Sequence, residues 1–135
     1  MMKAGRYTFE PITKIGSIAF AVEVEDLNDG EFAVLFFADG STRVGRAKVR
    51  VVEGRNVWIN HIEVDALFRR RGYASALVQW IVDACGQRLV PVNERGDGPA
   101  FWSALRDDPR FAGSVESGIS QTTYVETMRQ FGLLD

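Results

Sequence analysis

From Ile18 to Val24 the strongly apolar residues fall on every second position: Ile18, Phe20, Val22 and Val24 alternate with Ser17, Ala19, Ala21 and Glu23. That period of two predicts a strand with one apolar face. Asn28-Asp29-Gly30 marks the turn that follows. From Phe32 to Phe37 both alternating faces are apolar, which predicts a central strand covered on each side, and Asp39-Gly40 is the next turn. Between Val44 and Val52 the alternation sharpens, with Ala47, Val49 and Val51 on one face and Arg46, Lys48 and Arg50 on the other. We read the basic row as a solvated strand face, because no aromatic residue interleaves the cations as base stacking would require. Glu53-Gly54-Arg55-Asn56 closes a hairpin into a strand over Val57 to Val64.

Beyond that strand the period lengthens. Ala74, Leu77, Val78, Ile81, Val82 and Cys85 form one stripe of an α-helix, with Gly86 as its C-cap. Cys85 lies on the stripe, so it reads as a small core residue and not as a nucleophile. Leu89 to Val92 is a short apolar strand. Asp97 as N-cap and Pro99 in a first turn predict a second helix from Pro99 to about Arg106, which Pro109 keeps short. Thr122-Thr123-Tyr124-Val125-Glu126-Thr127 predicts a return to strand. No repeat or linker divides the chain, so residues 1–135 are expected to form one α/β (α+β) domain around a mixed sheet.

Composition narrows the function classes. The 135 residues are 46% hydrophobic and 25% charged, enough for one self-sufficient core. A net charge of −2 disfavours bulk attraction to nucleic acid or to an anionic membrane. One cysteine, Cys85, and one histidine, His61, exclude an internal disulfide and a multi-cysteine or multi-histidine metal centre, so no metal is expected. No apolar run approaches the roughly 18 residues a membrane span needs, and the N-terminus lacks the apolar region of a secretory signal. A cytoplasmic location is the expectation.

Chemistry concentrates where the hairpin strand runs into the long helix, in Ile62-Glu63-Val64-Asp65-Ala66-Leu67-Phe68-Arg69-Arg70-Arg71-Gly72-Tyr73-Ala74-Ser75. Arginines at a helix start oppose the macrodipole, where a sequence serving only helix stability would place Asp or Glu. Gly72 and Ala74 keep the backbone approachable, and Ser75 adds a hydroxyl donor. Together they describe an anion site suited to phosphate groups.

Arg69-x-x-Gly72-x-Ala74, preceded by Val64-Asp65-Ala66-Leu67-Phe68-Arg69 and followed by Ser75-Ala76-Leu77-Val78, resembles motif A of the GNAT superfamily of acyl-CoA-dependent N-acyltransferases. Asn93 and Ala100-Phe101-Trp102-Ser103-Ala104-Leu105 resemble a downstream segment of that family, so Val44 to about Phe111 is covered. The resemblance implies a GNAT-like mixed, mostly antiparallel sheet with helices packed on it, and acetyl-CoA as co-substrate. It implies that Ile62 and Val64 bond the pantetheine arm through their backbones, and that Arg69, Arg70, Arg71, Gly72, Tyr73, Ala74 and Ser75 cradle the pyrophosphate. Asn93 and Phe101 would lie near the acetyl end. The partner would be an amine, on a small molecule or a protein, that attacks the thioester directly.

The pattern departs from the family in two places. No helical periodicity precedes Arg69, so the family's N-terminal helices are expected to be missing or reduced. Trp102 stands where many members carry an acid tyrosine, and Trp58 and Asn60 stand where many carry Glu or His. His61 and Glu63 are candidate bases, although on a regular strand they point away from Asn60 unless a β-bulge reverses the parity. Tyr124 is a candidate acid; a water relay is the alternative. Plain readings stand beside these: a hydrogen-bonded sheet residue for His61, a salt-bridged one for Glu63, packing for Tyr124. Two rival functions are a catalytically weak acyl-CoA sensor and a nucleic-acid module using Arg46, Lys48, Arg50 and Arg69 to Arg71. A homodimer is left open.

Overall fold

The computed structural model of the chain describes residues 8–15, 18–38, 42–69, 71–94, 98–111 and 113–134. Five strands follow one another as an antiparallel meander: β1 (Thr8–Ile15), β2 (Ile18–Asn28), β3 (Glu31–Ala38), β4 (Thr42–Val51) and β5 (Asn56–Val64). Helix α1 (Tyr73–Cys85) then crosses over to β6 (Arg88–Pro91), which pairs with β5 in parallel. Helices α2 (Gly98–Asp107) and α3 (Gln121–Gln130) complete the chain.

One face of the sheet holds the main core. Phe20, Val22, Val34, Phe36, Val49 and Val57 meet Leu77, Val78 and Ile81 of α1 and Trp102 and Leu105 of α2. The Phe20 and Phe36 rings lie 5.4 Å apart between centroids. Each such fully buried side chain contributes about 1.5–3 kcal/mol relative to exposure. On the opposite face Tyr124 and Met128 of α3 pack on Trp58, Val90 and Val92.

Four sequence expectations change. Residues 122–127 are helical, because Ser120 caps α3 by accepting from the Thr123 N–H at 3.1 Å, and Tyr124 and Met128 bury one face at i, i+4 spacing. Local β-propensity yields to capping and packing. Strand β3 is buried on one face only: Phe32, Val34 and Phe36 are inside, whereas Ala33, Leu35 and Phe37 are half-buried. Arg50 does not join Arg46 and Lys48 in solvent. It is 6% exposed beneath α3, with its guanidinium donating to the Tyr124 hydroxyl at 2.9 Å and the Asp29 carbonyl at 2.9 Å, and reaching Glu31 at 3.4 Å. Strand β5 carries a bulge, since Val49 pairs with Ile59 and Lys48 with His61, which leaves Asn60 as the extra residue.

As expected, Gly86 ends α1 in the left-handed conformation and sends its N–H to the Val82 carbonyl at 2.9 Å. The expected cap Asp97 lies outside the described residues, as does Arg70. Among the described residues no α-helix precedes Tyr73.

Candidate active site

Strands β5 and β6 pair only from Asn56↔Arg88 to Ile59↔Pro91, with one further bond from the Val92 N–H to the Ile59 carbonyl. Above that point the strands part. The Asp65 N–H donates to the Val44 carbonyl at 2.7 Å, which makes Gly45↔Val64 a non-hydrogen-bonded pair. The alternation then turns the backbone groups of Ile62 and Val64 away from β4, along the open edge of β5. Val64 meets Arg69 there, whose Nε donates to the Val64 carbonyl at 2.9 Å.

Two openings follow that edge. A slot of about 420 Å³ lies between the parted strands, with Ile62, His61, Asn60, Asn93, Glu94 and Trp102 in its walls. A second groove, about 570 Å³, runs from Val64 to the start of α1 and includes Arg69, Gly72, Ala74, Ser75 and Phe101. Of the expected ligand contacts, Ile62 and Asn93 lie in the slot, and Val64, Arg69, Gly72, Tyr73, Ala74, Ser75 and Phe101 in the groove. Arg71 stands beside them, its guanidinium 5.8 Å from the centre of the Phe68 ring, and Phe68 packs edge-on against Tyr73.

The start of α1 is open. Gly72 occupies the N-cap with φ 86°, no side chain among the described residues caps the helix, and its first turn carries no acid. The first helical bond returns from the Ala76 N–H to the Gly72 carbonyl, so the amides of Tyr73, Ala74 and Ser75 point outward with positive potential. Glycine suits this N-cap because a side chain at positive φ is strained.

The bulge decides the chemistry at the other end. It brings His61 onto the sheet face of Lys48 and Trp58, the same face toward which Asn60 reaches Tyr124. His61 Nε2 lies 3.3 Å from Glu63 Oε2, and Arg46 Nε donates to Glu63 Oε1 at 3.1 Å. The hydrogen bond from His61, the largest cause, outweighs the opposing effect of burial and, with the charge of Arg46, holds the Glu63 carboxyl below its ordinary range. Tyr124 does not line the slot; it is 4% exposed behind Asn60, its hydroxyl accepting from Arg50 at 2.9 Å and Asn60 Nδ2 at 3.1 Å. Asn60 Oδ1 is buried at the slot with no hydrogen-bond partner among the described residues. Burial pushes the Cys85 thiol up to about 12, which leaves it unreactive.

Sequence reasoning missed three participants. Asn60 stood in the sequence only as a departure from the family's Glu or His; its buried Oδ1 came to light with the bulge. Glu94 follows Asn93 into the slot and pairs with Arg106 at 3.0 Å across α2. Arg50 ties the β2–β3 turn to Tyr124, and its place in an alternating basic row hid that role.

The sheet is thus mostly antiparallel, and its parallel last pair parts beside the uncapped start of α1. Residues 6–95, about two thirds of the chain, match the sequence model of the Acetyltransferase (GNAT) family, and the chain belongs to that family. No curated protein matches the chain. Among the described residues no helix is long and apolar enough to cross a membrane.

Proposed function

We propose that the protein transfers an acetyl or close acyl group from its coenzyme A thioester to a primary amine by direct attack. The observation that carries this reading is the line from the uncapped amides of α1, along the edge of β5 at Val64 and Ile62 that β6 leaves open, to the slot. Its parts suit coenzyme A: outward N–H groups with Arg71 beside them for the diphosphate, an extended strand edge for the amide-bearing arm, and an unpartnered Asn60 Oδ1 for a donor in the slot. Arg70 belongs to the same motif. The thioester supplies an activated acyl carbon.

The chain's own residues manage the amine. With its Nε2–H directed at Glu63, His61 keeps a lone pair on Nδ1 to take a proton from the incoming ammonium. The amine nitrogen forms the new bond to the acyl carbon and the carbon–sulfur bond breaks with its electrons on sulfur. Of the two protons the ammonium gives up, one ends on that sulfur and the other in solvent. Since Tyr124 sits behind Asn60, water in the open slot is the carrier to sulfur.

One observation favours the rival, an acyl-CoA sensor: among the described residues no hydroxyl or thiol side chain lines the slot. Calorimetry with acetyl-CoA and thiol release across a panel of amines decides between them. Binding with amine-dependent release supports the transferase, binding without release supports the sensor, and absence of binding overturns both.

A further inference from the structure

We propose that the acceptor is an α-amino acid with an apolar side chain, held in a groove on the sheet face away from α1. This rests on the acyltransferase reading and names the acceptor of that same site. The groove, about 530 Å³, is floored by Leu27, Ala33 and Leu35 and flanked by Arg46, Lys48 and His61. Among the described residues His61 alone lines both this groove and the slot between β5 and β6. An amine resting here therefore meets the slot at the imidazole.

The charges beside His61 select the class. Lys48 is its direct cross-strand partner, which places the two side chains about 5 Å apart at their roots, and Arg46 stands one row on, opposite Glu63. Lys48 and Arg46 are each 50% exposed, with Glu31 at 3.7 Å from one and Glu63 at 3.1 Å from the other. Exposed pairs of this kind hold by roughly 0–1 kcal/mol, so a ligand carboxylate can take Lys48 over. In an α-amino acid the carboxylate lies one carbon from the amino group, so a ligand whose amine meets His61 carries its carboxylate toward the neighbouring Lys48.

The rest of the groove fits the rest of that molecule. Ala33, Leu35 and Leu27 are half-buried and offer an apolar floor beyond the cations. Glu25 stands on the far rim, two strand positions from Lys48 through Ala33. A polyamine would meet Lys48 and Arg46 before reaching Glu25, and a lysine side chain of a protein carries no carboxylate for them.

The test measures thiol release from acetyl-CoA with leucine and phenylalanine against leucinamide, isoamylamine and phenethylamine, in the native protein and in Lys48→Met. Calorimetry follows acetyl-CoA affinity in both. Expected is a kcat/KM for each amino acid at least about tenfold above its amide and decarboxylated amine, a ratio near one in Lys48→Met, and acetyl-CoA affinity unchanged. Equal or better turnover of the carboxylate-free amines overturns the proposal, as does a ratio that survives Lys48→Met. Acetyl-CoA binding with no amino acid acetylated overturns it while the coenzyme site stands; failure of the native protein to bind acetyl-CoA overturns the underlying reading as well.

Discussion

Helices α1 and α3 begin in opposite ways. Ser120 closes the front of α3 by accepting from the Thr123 N–H at 3.1 Å, and its own hydroxyl donates to Thr123 Oγ1 at 3.0 Å. The rear is closed as well, since the Gly132 N–H returns to the Arg129 carbonyl and the Leu133 N–H to the Met128 carbonyl, both at 2.9 Å, with Gly132 at φ 75°. Helix α1 ends as tidily at Gly86 but starts with bare amides behind Gly72. A short polar cap in the usual extended N-cap conformation would stabilise the helix by a few tenths of a kcal/mol over glycine. The start of α1, next to arginines that also oppose the macrodipole, is the one the proposed coenzyme site uses, whereas the start of α3 is closed within the fold.

The largest effect that tests this contrast is expected from Gly72→Val. A β-branched residue at φ 86° is strained and forces the turn to rearrange, withdrawing several charge-assisted hydrogen bonds from the diphosphate at once. Acetyl-CoA affinity measured by calorimetry is expected to fall about 100-fold or more, while circular dichroism reports a folded protein. Unchanged affinity in a folded variant removes the argument for the site. Ser120→Ala should do the reverse: about 1 kcal/mol lost in chemical denaturation and no change in acetyl-CoA affinity. A loss of affinity there would mean that the two helix starts are not independent.

The contrast also explains what the sequence disclosed. The α1 region was legible because several signals agree: the stripe from Ala74 to Cys85, Gly86 behind it and the arginine-glycine turn before it. At α3 they conflict, since Thr122, Thr123 and Val125 favour strand, whereas Ser120 ahead of the segment and Gly132-Leu133 after it are helix ends. Weighing the ends above the middle would have found the helix. Strand β1 carried no such signal, whereas strands β2 to β5 followed from the period of two. The bulge at Asn60 did not, because an unpaired residue is a property of two strands in register and leaves no mark on one. Arg50 was misread for the same reason: α3, distant in sequence, covers it.

The smallest effect concerns acid. Neither helix start carries a carboxylate in its first turn, so whatever stability the protein loses on acidification arises elsewhere. Glu63 is one source: its carboxyl is held below 4.5 in the folded protein, chiefly by the hydrogen bond from His61. A depressed folded value means that the unfolded chain takes up the proton first. The contribution is therefore fully present above about pH 5 and is lost as pH falls from 4.5 through the folded value. With its side chain 39% exposed, water screens the effect, and it stays small. Denaturation of the native protein and of Glu63→Gln from pH 7 to pH 3 should show a stability gap that is flat down to about pH 5 and then narrows. A gap of constant size through that window would mean that Glu63 is not held by His61. If the gap does narrow, acetylation by Glu63→Gln at neutral pH, where both proteins are equally folded, should also be reduced, because the partner that orients His61 is weakened.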